Sequence, residues 1–547
     1  MSFYFVSRLA LIDKIPPGVS NDEADNGYEA YSLWKTGKDQ WGIAWPIADF
    51  LGFGDHRLPV YIYSIIPFAA LIGLNSAAVR LPAVIFGAGV VILSYMLARS
   101  WFSDRVGKLA AIVLTLMPWF WGMTRVGIEP PAALFFILAG TLSLWHSRRR
   151  FRFYLLSAVL FFLAMFSYPG VRLFVPIWAV YLTLTRLSGK AGMVFGLGVA
   201  IVAAGIFGGG SSARLKQIWV FENPVLLDVA NRHIDGCREM VPLIACRVME
   251  NKWIVVTEEI IKNYLSHFSL NFIFLETDLA NGLLPMGGLA QKSLLLPVTI
   301  GAILIISRLI FNDRSKNRES VNLTLVWLLI APMVDSLTGT GHYSRSFLMV
   351  FPLAMAAGLG FELIWQKWRT VSLAVVAIYI MESSKFVLDY FSYFPKYHAR
   401  YTHYEYKQLN DYFKGMGETE YSNVYISNKY FDTKQYMFYL YYFKVDPFWY
   451  QMAENKDWHE EDNGWIRITR VGRWRFVSSL PDVNDVPDSS LYIGSKEEIG
   501  SLITVGGQSG ENCEPEVELM RSFRFPDEGD SFWVARVRQI DCLVNQG

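Results

Sequence analysis

The sequence has little of what a nucleic-acid-binding protein or a zinc protein needs. Its 547 residues carry 50 Lys and Arg against 49 Asp and Glu, a formal net charge of +1. No overall field would therefore attract nucleic acid, and any functional charge is local. The 4 cysteines and 8 histidines lack the spacing of zinc ligands, and no glycine-rich phosphate loop of Walker spacing is present.

Charge is also missing from long parts of the chain. Asp, Glu, Lys and Arg are absent from four stretches, each about long enough to cross a bilayer as a helix: 81–98, 130–147, 153–171 and 191–213. Further apolar stretches occupy 109–124, 173–185, 293–307, 320–334, 346–361 and 370–381. With a mean hydropathy of +0.26, this series argues against a cytosolic enzyme and predicts a polytopic α-helical membrane protein.

The basic residues between these stretches predict the orientation, because Lys and Arg are retained on the cytoplasmic side. Alternate loops are basic: 99–108, 148–152, 186–190, 308–318 and 367–369. One orientation of the successive spans places all of these basic loops on the cytoplasmic side. The loops 13–58 and 209–290 and everything after about residue 388 are then outside.

This orientation gives ten full spans and a partial first one, eleven crossings in all. Residues 1–12 are too few for a full span, so they form either a shortened span or an interfacial helix. A span at 60–74 would invert every later loop, so we expect a helix in the outer interface there.

From about residue 389 the composition becomes rich in Tyr, Lys, Asp and Glu. Helix-like segments (406–413, 435–443) alternate with strand-like ones (424–427, 465–478, 490–494, 532–537). The pattern predicts an extracytoplasmic α/β domain of about 150 residues, 389–547, appended to a membrane domain, 1–388. All four cysteines are expected outside, as bridges Cys237 to Cys246 and Cys513 to Cys542 or as free thiols.

Acidic residues in the outer loops are candidates for chemistry. Asp22 and Glu23 precede Tyr28 and Tyr31 in the loop 13–58. A carboxylate at the bilayer surface can act as general base on a hydroxyl or amine, although such a pair also suits a solvated turn or a helix N-cap. Glu129 lies four residues after Arg125, a spacing that equally fits an ion pair on a helix surface.

Basic residues near the outer ends of spans form a second group of candidates. Singly, each fits a side chain that reaches from a span end to the interface. Together, on the side of the acid pair, they suit a phosphate at the membrane surface. The group comprises Arg57, Arg80, Arg125, Arg172, Arg345 and His342.

At these residues the chain resembles the bacterial family 39 glycosyltransferases, polytopic GT-C enzymes similar to protein O-mannosyltransferases and to the lipid A aminoarabinose transferase. The motifs occur in order: PPG-x-x-x-DEA-x-x-G-Y-x-A-Y at 16–31, DHRLPVYIY at 55–63, VRLP at 79–82, TRVGIE at 124–129, SYPGVRLFVP at 167–176 and GHYSRS at 341–346. The resemblance covers nearly the whole chain, including the C-terminal α/β domain. It implies transfer of a sugar from a polyprenyl-phosphate carrier to a lipid, glycan or protein acceptor at the outer face of the plasma membrane, with inversion at the anomeric carbon.

The resemblance also implies roles for single residues. Asp22 matches the catalytic aspartate and Glu23 its partner, whereas Arg57, where relatives often have Lys, and Arg345 with His342 would bind the donor phosphate. Glu129 matches an acidic position near the acceptor or a metal, with Arg125, Tyr28 and Arg172 on the acceptor side or supporting it. Leu58 departs from the family by replacing a proline. No cofactor is implied with certainty, and a divalent metal stays open.

Two other interpretations compete with a transferase. A polyprenyl-lipid or sugar transporter would also have many spans, but it would need ionisable residues at mid-membrane and, in many cases, two similar halves. Charges within the spans are almost absent, and no repeat is visible. A non-catalytic anchor for the C-terminal domain would leave the motif series unexplained.

Overall fold

The computed structural model describes residues 1–147, 150–186, 196, 198–199, 224–238, 240–275, 288–310, 318–339, 342–416, 421–429, 434–461, 465–506 and 515–539. The chain divides into two compact units. The first comprises Met1–Ala10, Leu58–Tyr61 and Pro82–Tyr390, and the second comprises Leu11–Arg57, Ile62–Leu81 and Phe391–Gly547. Most of the predicted span 191–213 lies outside the described residues, as do Cys513 and Cys542.

Helices dominate the part of the chain up to Ser392. In chain order they are α1 (Ser2–Leu9), α2 (Asn21–Thr36), α3 (Pro59–Ile72), α4 (Ser76–Trp101), α5 (Asp104–Leu116), α6 (Pro118–Met123), α7 (Pro130–Trp145), α8 (Phe151–Met165), α9 (Phe174–Arg186), α10 (Pro224–Arg238), α11 (Leu243–Met249), α12 (Lys252–Ser266), α13 (Leu295–Ile310), α14 (Arg318–Ile330), α15 (Met333–Thr338), α16 (Val350–Lys367) and α17 (Arg369–Ser392). Cys237 and Cys246 form a disulfide between α10 and α11, which confirms one of the two expected bridges.

Four helical stretches in the described residues are long and apolar enough to cross a membrane: Ser76–Trp101, Arg318–Thr338, Phe347–Lys367 and Arg369–Ser392. Shorter apolar helices occupy Pro59–Ile72, Pro130–Trp145, Phe151–Met165 and Pro169–Thr185. A short helix crosses only by tilting, thinning the bilayer or using flanking residues. The multi-pass character expected from the composition fits these helices, whereas the number of eleven crossings stays a prediction.

The side chains of α17 show what surroundings these helices need. In the most apolar 18-residue stretch of Arg369–Ser392, 22% is buried inside the protein, against 89% in the corresponding stretch of Phe347–Lys367. Leu373, Ile380 and Leu388 are 59%, 57% and 68% exposed. Leaving a large apolar side chain in water costs about 1.5–3 kcal/mol compared with burying it. The exposed face of α17 therefore requires an apolar environment such as lipid.

The chain start is a short helix with a buried charge. α1 has 8 residues, too few for a full span. Arg8, which interrupts this apolar run, is fully buried and donates to Thr124 Oγ1 at 3.1 Å and to the Thr115 carbonyl at 2.7 Å. Its guanidinium also lies 4.0 Å from the Trp121 ring centre. The charge is thus satisfied inside the protein, not at a membrane surface.

The last part of the second unit is a mixed sheet with helices. The elements are α18 (Phe394–Tyr397), α19 (Tyr404–Met416), α20 (Gln435–Tyr442), α21 (Pro447–Tyr450), α22 (Lys496–Gly506), β3 (Val424–Ser427), β4 (Lys456–Glu460), β5 (Ile466–Val471), β6 (Trp474–Val477), β7 (Ser490–Gly494), β8 (Glu516–Arg524) and β9 (Asp530–Arg538). The seven strands run in the order β4-β5-β6-β3-β7-β9-β8, with β3 parallel to β6 and β7 and the other pairs antiparallel. The predicted α/β character is confirmed.

Apolar side chains that alternate along the strands explain how one face of this sheet is buried. Tyr492, Val517, Ala535 and Val537 bury one of its faces together with Ile499 of α22. The strands β4 and β8 were missed because their side chains are mostly exposed and show no clear apolar alternation. A two-stranded ribbon, β1 (Phe50–Leu51) with β2 (His56–Arg57), lies in the segment Leu11–Arg57. That segment belongs to the same compact unit as the C-terminal sheet.

Candidate active site

The helix α2 carries the acid pair and begins with a capping box. Ser20 Oγ accepts a hydrogen bond from the Glu23 amide at 3.2 Å, and Glu23 Oε2 accepts one from the Ser20 amide at 3.0 Å. The reciprocal bonds satisfy two amides that a helix start leaves without partners. Gly37, with φ of 69°, ends the helix. Ser20 is thus the N-cap and Glu23 its capping-box partner, and both acids lie in the first turn of α2.

Arg80 holds the loop that precedes α2. Its Nε donates to Glu23 Oε1 at 2.7 Å, and both side chains are buried. Its other nitrogens donate to the carbonyls of Ile12 (2.8 Å), Pro16 (3.0 Å) and Gly18 (2.6 Å). One guanidinium thus fixes three backbone points and the start of α2. Both Glu23 and Arg80 position the chain around Asp22.

Gly18 shows how tightly this loop is packed. Its amide donates to Thr402 Oγ1 at 3.2 Å, and a Cβ at this position would lie 1.9 Å from the Thr402 carbonyl oxygen. No other residue fits without moving the backbone. The glycine of the PPG motif is therefore a close-packing residue.

Asp22 is the exposed member of a charged cluster. Its side chain is 46% exposed, and its Oδ1 accepts a hydrogen bond from Arg57 Nη2 at 2.5 Å. Arg57 is 3% exposed and also lies near Asp25 Oδ2 (3.3 Å) and Asp55 Oδ2 (3.4 Å). The cation predicted to hold a donor phosphate is thus enclosed by three carboxylates.

Behind Asp22, the same helix buries two further acids. Asp25 and Glu29 follow Asp22 by three and seven residues, a spacing that places all three on one face. Gln40 Nε2 bridges them, 3.2 Å from Asp25 Oδ1 and 2.6 Å from Glu29 Oε1. A Cβ on Gly52 would lie 2.3 Å from Asp25 Oδ2. The cluster therefore extends from an exposed carboxylate to a closed interior.

Burial changes how these inner acids titrate. Burial raises the pKa of Asp25 to about 7, with Arg57 opposing the shift and Asp55 and Asp22 adding to it. Burial, with the charges of Asp25 and Asp39, raises the pKa of Glu29 well above its usual value. Burial therefore favours the neutral form of both carboxyl groups. The charge of Arg57 is then directed mainly to Asp22 and Asp55.

Tyr28 is buried on the same helix. It is fully buried, donates to the Val445 carbonyl at 3.2 Å and meets the Tyr450 ring edge-on with centres 5.9 Å apart. Its hydroxyl packs the helix against α21. A contribution to acceptor binding would therefore be indirect.

In the first unit, the predicted arginines meet backbone carbonyls. Arg125 is fully buried and donates to the carbonyls of Ser7 (2.7 Å), Arg8 (2.9 Å) and Ala10 (2.9 Å) at the end of α1. Arg172 is also buried, with Nε 3.3 Å from the Met165 carbonyl at the end of α8. Both satisfy carbonyls that helix ends leave without partners.

Glu129 lies just before α7 and is 7% exposed. Its carbonyl accepts hydrogen bonds from the amides of Ala132 (3.0 Å) and Ala133 (3.2 Å). Pro130 follows as the first residue of the helix, where its missing amide costs nothing. The backbone of Glu129 thus starts α7, and the predicted role of its carboxylate stays a prediction.

His342 and Arg345 lie in a turn held by Asp335. The His342 amide donates to Asp335 Oδ2 at 2.5 Å, and His267 Nε2 lies 2.7 Å from the same oxygen. Arg345 Nη1 donates to the carbonyl and to Oγ1 of Thr338, both at 3.0 Å. Asp335 and His267 are fully buried, so they fix a turn whose two basic side chains are partly exposed.

The predicted residues thus fall into two groups. Asp22, Glu23, Tyr28, Arg57 and Arg80 lie in the second unit, and Arg125, Glu129, Arg172, His342 and Arg345 lie in the first. Asp25, Glu29 and Asp55 were missed, although the helical spacing from Asp22 was a usable signal for the first two. His267 and Asp335 are 68 residues apart, and no sequence signal joins them. Among the described residues, no group of three acidic, His or Cys side chains is arranged to hold a metal ion.

Solved structures that are similar to this chain include the following two. ArnT from Cupriavidus metallidurans bound to undecaprenyl phosphate is 12% identical, with a TM-score of 0.48 over 98% of this chain and 96% of that chain. The oligosaccharyltransferase AglB from Archaeoglobus fulgidus, in complex with an inhibitory peptide and a dolichol-phosphate, is 12% identical, with a TM-score of 0.45 over 80% of this chain and 62% of that chain. Similarity at this level does not bear on activity.

A sequence match is limited to part of the chain. None of the curated proteins matches the full sequence significantly. Residues 55–207 match the model of the dolichyl-phosphate-mannose-protein mannosyltransferase family, a segment that contains Arg57, Arg80, Arg125, Glu129 and Arg172 but not Asp22. Over residues 55–207, this match confirms the resemblance to mannosyltransferases that the motifs predict.

Proposed function

We propose that this protein is an integral-membrane glycosyltransferase. It moves a sugar from a polyprenyl-phosphate-linked donor to an acceptor at the outer face of the plasma membrane, with inversion. The observation that carries the proposal is the state of Asp22, which is half-exposed and held by Arg57 at 2.5 Å at the start of α2. The match of residues 55–207 to a mannosyltransferase family supports the same chemistry.

In this reaction Asp22 is the general base. It takes the proton of the acceptor hydroxyl or amine while the acceptor oxygen or nitrogen forms a bond to C1 of the sugar. The bond from C1 to the phosphate oxygen breaks at the same time, and the polyprenyl phosphate leaves with the electron pair. A single displacement from the face opposite the phosphate inverts the anomeric carbon.

The surroundings of Asp22 support separate roles for its neighbours. Arg57 is buried and faces three carboxylates, which favours orienting Asp22 over binding a phosphate. Glu23 is saturated by Arg80 and the Ser20 amide, which favours a positioning role. The partly exposed Arg345 and His342 are the better candidates for stabilising the charge on the departing phosphate.

Reconstituted protein tests the proposal directly. Polyprenyl-phosphate mannose, glucose and arabinose, each labelled in the sugar, are incubated with liposomes that contain the protein and a membrane extract as acceptor source. We expect free polyprenyl phosphate to be formed together with an equal amount of labelled product. Movement of intact donor across the bilayer without its consumption would instead identify a transporter, and no consumption of any donor would reject the proposal.

The outer-face location is tested separately. A reporter enzyme that is active only outside the cytoplasm is fused after residue 388, with a fusion in the basic loop 99–108 as control. We expect activity at the first site and none at the second, because basic loops remain inside. The reverse result would reject the outer-face assignment of Asp22 as well.

A further inference from the structure

The C-terminal part of the second unit contains a cavity of about 740 Å³. It opens at the turn before α19, at the start of α22 and at the loop between β8 and β9. Binding pockets for small ligands typically have volumes of about 300–1,000 Å³. The cavity is therefore large enough for two or three sugar rings, and the mechanism above does not use it.

Glu405 gives this cavity an unsatisfied acceptor. Its side chain is 3% exposed and lines the cavity. Oε1 lies 3.4 Å from His403 Nδ1, whereas the buried Oε2 has no hydrogen-bond partner among the described residues. A buried acceptor without a donor destabilises the fold. A sugar hydroxyl that donates to this carboxylate, once the side chain turns toward the cavity, satisfies it.

The backbone next to Glu405 is also unusual. His403 has φ of 51°, a left-handed conformation that is strained for a residue other than glycine. The ring is held 4.6 Å from that of Phe438. This conformation places His403 and Glu405 together at the cavity wall, so the packing of the turn maintains a polar corner.

The positively charged side chains Arg400 and Lys496 that line the cavity are each paired with a carboxylate. Arg400 Nη2 lies 3.4 Å from Asp527 Oδ2, and Lys496 Nζ lies 3.3 Å from Asp530 Oδ2. Glu405 and Glu497 add two more carboxyl groups to the lining. A phosphate or uronate needs cations in excess, and here carboxylates are in excess. The lining is suited to neutral hydroxyl groups, which both donate and accept hydrogen bonds.

An aromatic surface completes the lining. Tyr401 is 43% exposed, and the Phe525 ring lies 5.4 Å below the Arg400 guanidinium. An exposed tyrosine combines an apolar face with a polar edge. The apolar face of a sugar ring can stack on such a surface while its hydroxyls reach the carboxylates.

We infer that this cavity binds a neutral glycan, with Glu405 accepting a hydrogen bond from a sugar hydroxyl and Tyr401 stacking on a ring. The inference rests on the proposed function, because it selects a glycan among the acceptors open to that reaction. The turn that forms the cavity wall also contains Thr402, which receives the Gly18 amide from the loop before Asp22. A glycan bound here lies on a turn that directly contacts the catalytic loop.

Binding measurements without a donor test this inference. The full-length protein in nanodiscs is titrated by calorimetry with neutral trisaccharides of mannose, glucose, galactose and N-acetylglucosamine, and with trigalacturonate as the anionic probe. We expect at least one neutral trisaccharide to bind and trigalacturonate to bind at least tenfold more weakly. Glu405→Gln and Tyr401→Ala should each weaken the neutral ligand at least tenfold. Glu518→Gln, an exposed change on β8 outside the cavity lining, should have no effect.

The outcomes separate the cavity from the catalytic proposal. If Glu405→Gln fails to fold, Tyr401→Ala still decides, because its side chain is exposed. Lack of binding by all four neutral trisaccharides, equal binding by wild type and both cavity variants, or tighter binding of trigalacturonate would each overturn the inference. Binding that depends on Glu405 in a protein without transfer activity would reject only the transferase, whereas transfer without such binding would reject only the cavity.

Discussion

Buried arginines contact different kinds of groups in the two units. In the first unit, Arg125 donates to three backbone carbonyls at the end of α1. In the second, Arg57 faces three side-chain carboxylates, one of them exposed. Backbone carbonyls do not titrate, so these contacts of Arg125 hold the chain. Carboxylates gain and lose protons, so the surroundings of Arg57 can take part in chemistry.

Arg80 combines both kinds of contact. It binds three carbonyls and one carboxylate, all of them buried. Because these four partners are buried, the contacts of Arg80 resemble those of Arg125 despite its place beside the acid pair. We therefore use the exposure of a partner carboxylate, more than proximity to the motif, to separate the proposed reactive cluster around Arg57 from a structural one.

The largest expected effect is at the exposed end of the reactive cluster. Asp22→Asn should lower turnover by a factor of roughly 100 or more, with unchanged thermal unfolding, because Asn keeps the shape but cannot accept the proton. Initial transfer rates are compared with those of Asp13→Asn, an exposed acid of the same segment that should behave as wild type. Near-normal transfer by folded Asp22→Asn would remove Asp22 from the chemistry.

The next effect tests whether Arg57 orients a base or binds a phosphate. Arg57→Lys keeps a charge without the planar fork, so we expect turnover to fall about tenfold while the KM for the donor changes less than twofold. A raised donor KM with unchanged turnover would restore the phosphate role. Arg57→Ala is less informative, because it leaves buried carboxylates without their cation and threatens folding.

Glu23→Gln separates positioning from proton transfer. The change removes the ion pair with Arg80 but keeps a side chain that can accept from the Ser20 amide. We expect the free energy of unfolding to fall by about 1–3 kcal/mol, and turnover of the folded protein to stay within threefold of wild type. Glu454→Gln, at an exposed position, is the matched control. A loss of turnover as large as that of Asp22→Asn would make Glu23 a second catalytic acid.

The smallest effect is a pH dependence of stability at Asp25. Because its pKa is raised to about 7 from about 3.9 for an exposed Asp, the folded protein binds a proton that the unfolded chain releases. Wild-type stability from this group therefore falls as the pH rises from about 4 to 7. Asp25→Asn lacks that loss, so its melting temperature should exceed that of wild type by several degrees at pH 8. A difference that does not widen between pH 4 and pH 7 would contradict the burial of an ionisable Asp25.

A structural feature can be predicted from the sequence when the residues that produce it are close together in the chain. The pattern S-x-x-E makes a capping box wherever a helix follows, so the N-cap at Ser20 was within reach. Strands at 424–427 and 490–494 were predicted because short runs of apolar side chains lie next to turn residues there. In contrast, the surroundings of Arg57 are built from positions 22, 25 and 55, and only folding joins them.

The arginines of the first unit show the same limit of prediction from sequence. Arg125 was expected beside an acceptor or at a membrane surface, on the basis of its place in the motif. The structure instead directs it to carbonyls that the short helix α1 leaves without partners. Neither the length of that helix nor its contact with residue 125 can be read from the motif.

The contact between Gly18 and Thr402 bears on when the protein becomes active during synthesis. The loop before Asp22 depends on a residue made 384 positions later, and Tyr28 of the same helix depends on the Val445 carbonyl, 417 positions later. A ribosome must therefore make most of the chain before α2 finds its partners. The membrane helices can insert while the loop before Asp22 is still incomplete. In the proposed reaction, sugar transfer therefore waits until the residues around Thr402 and Val445 have been made and folded.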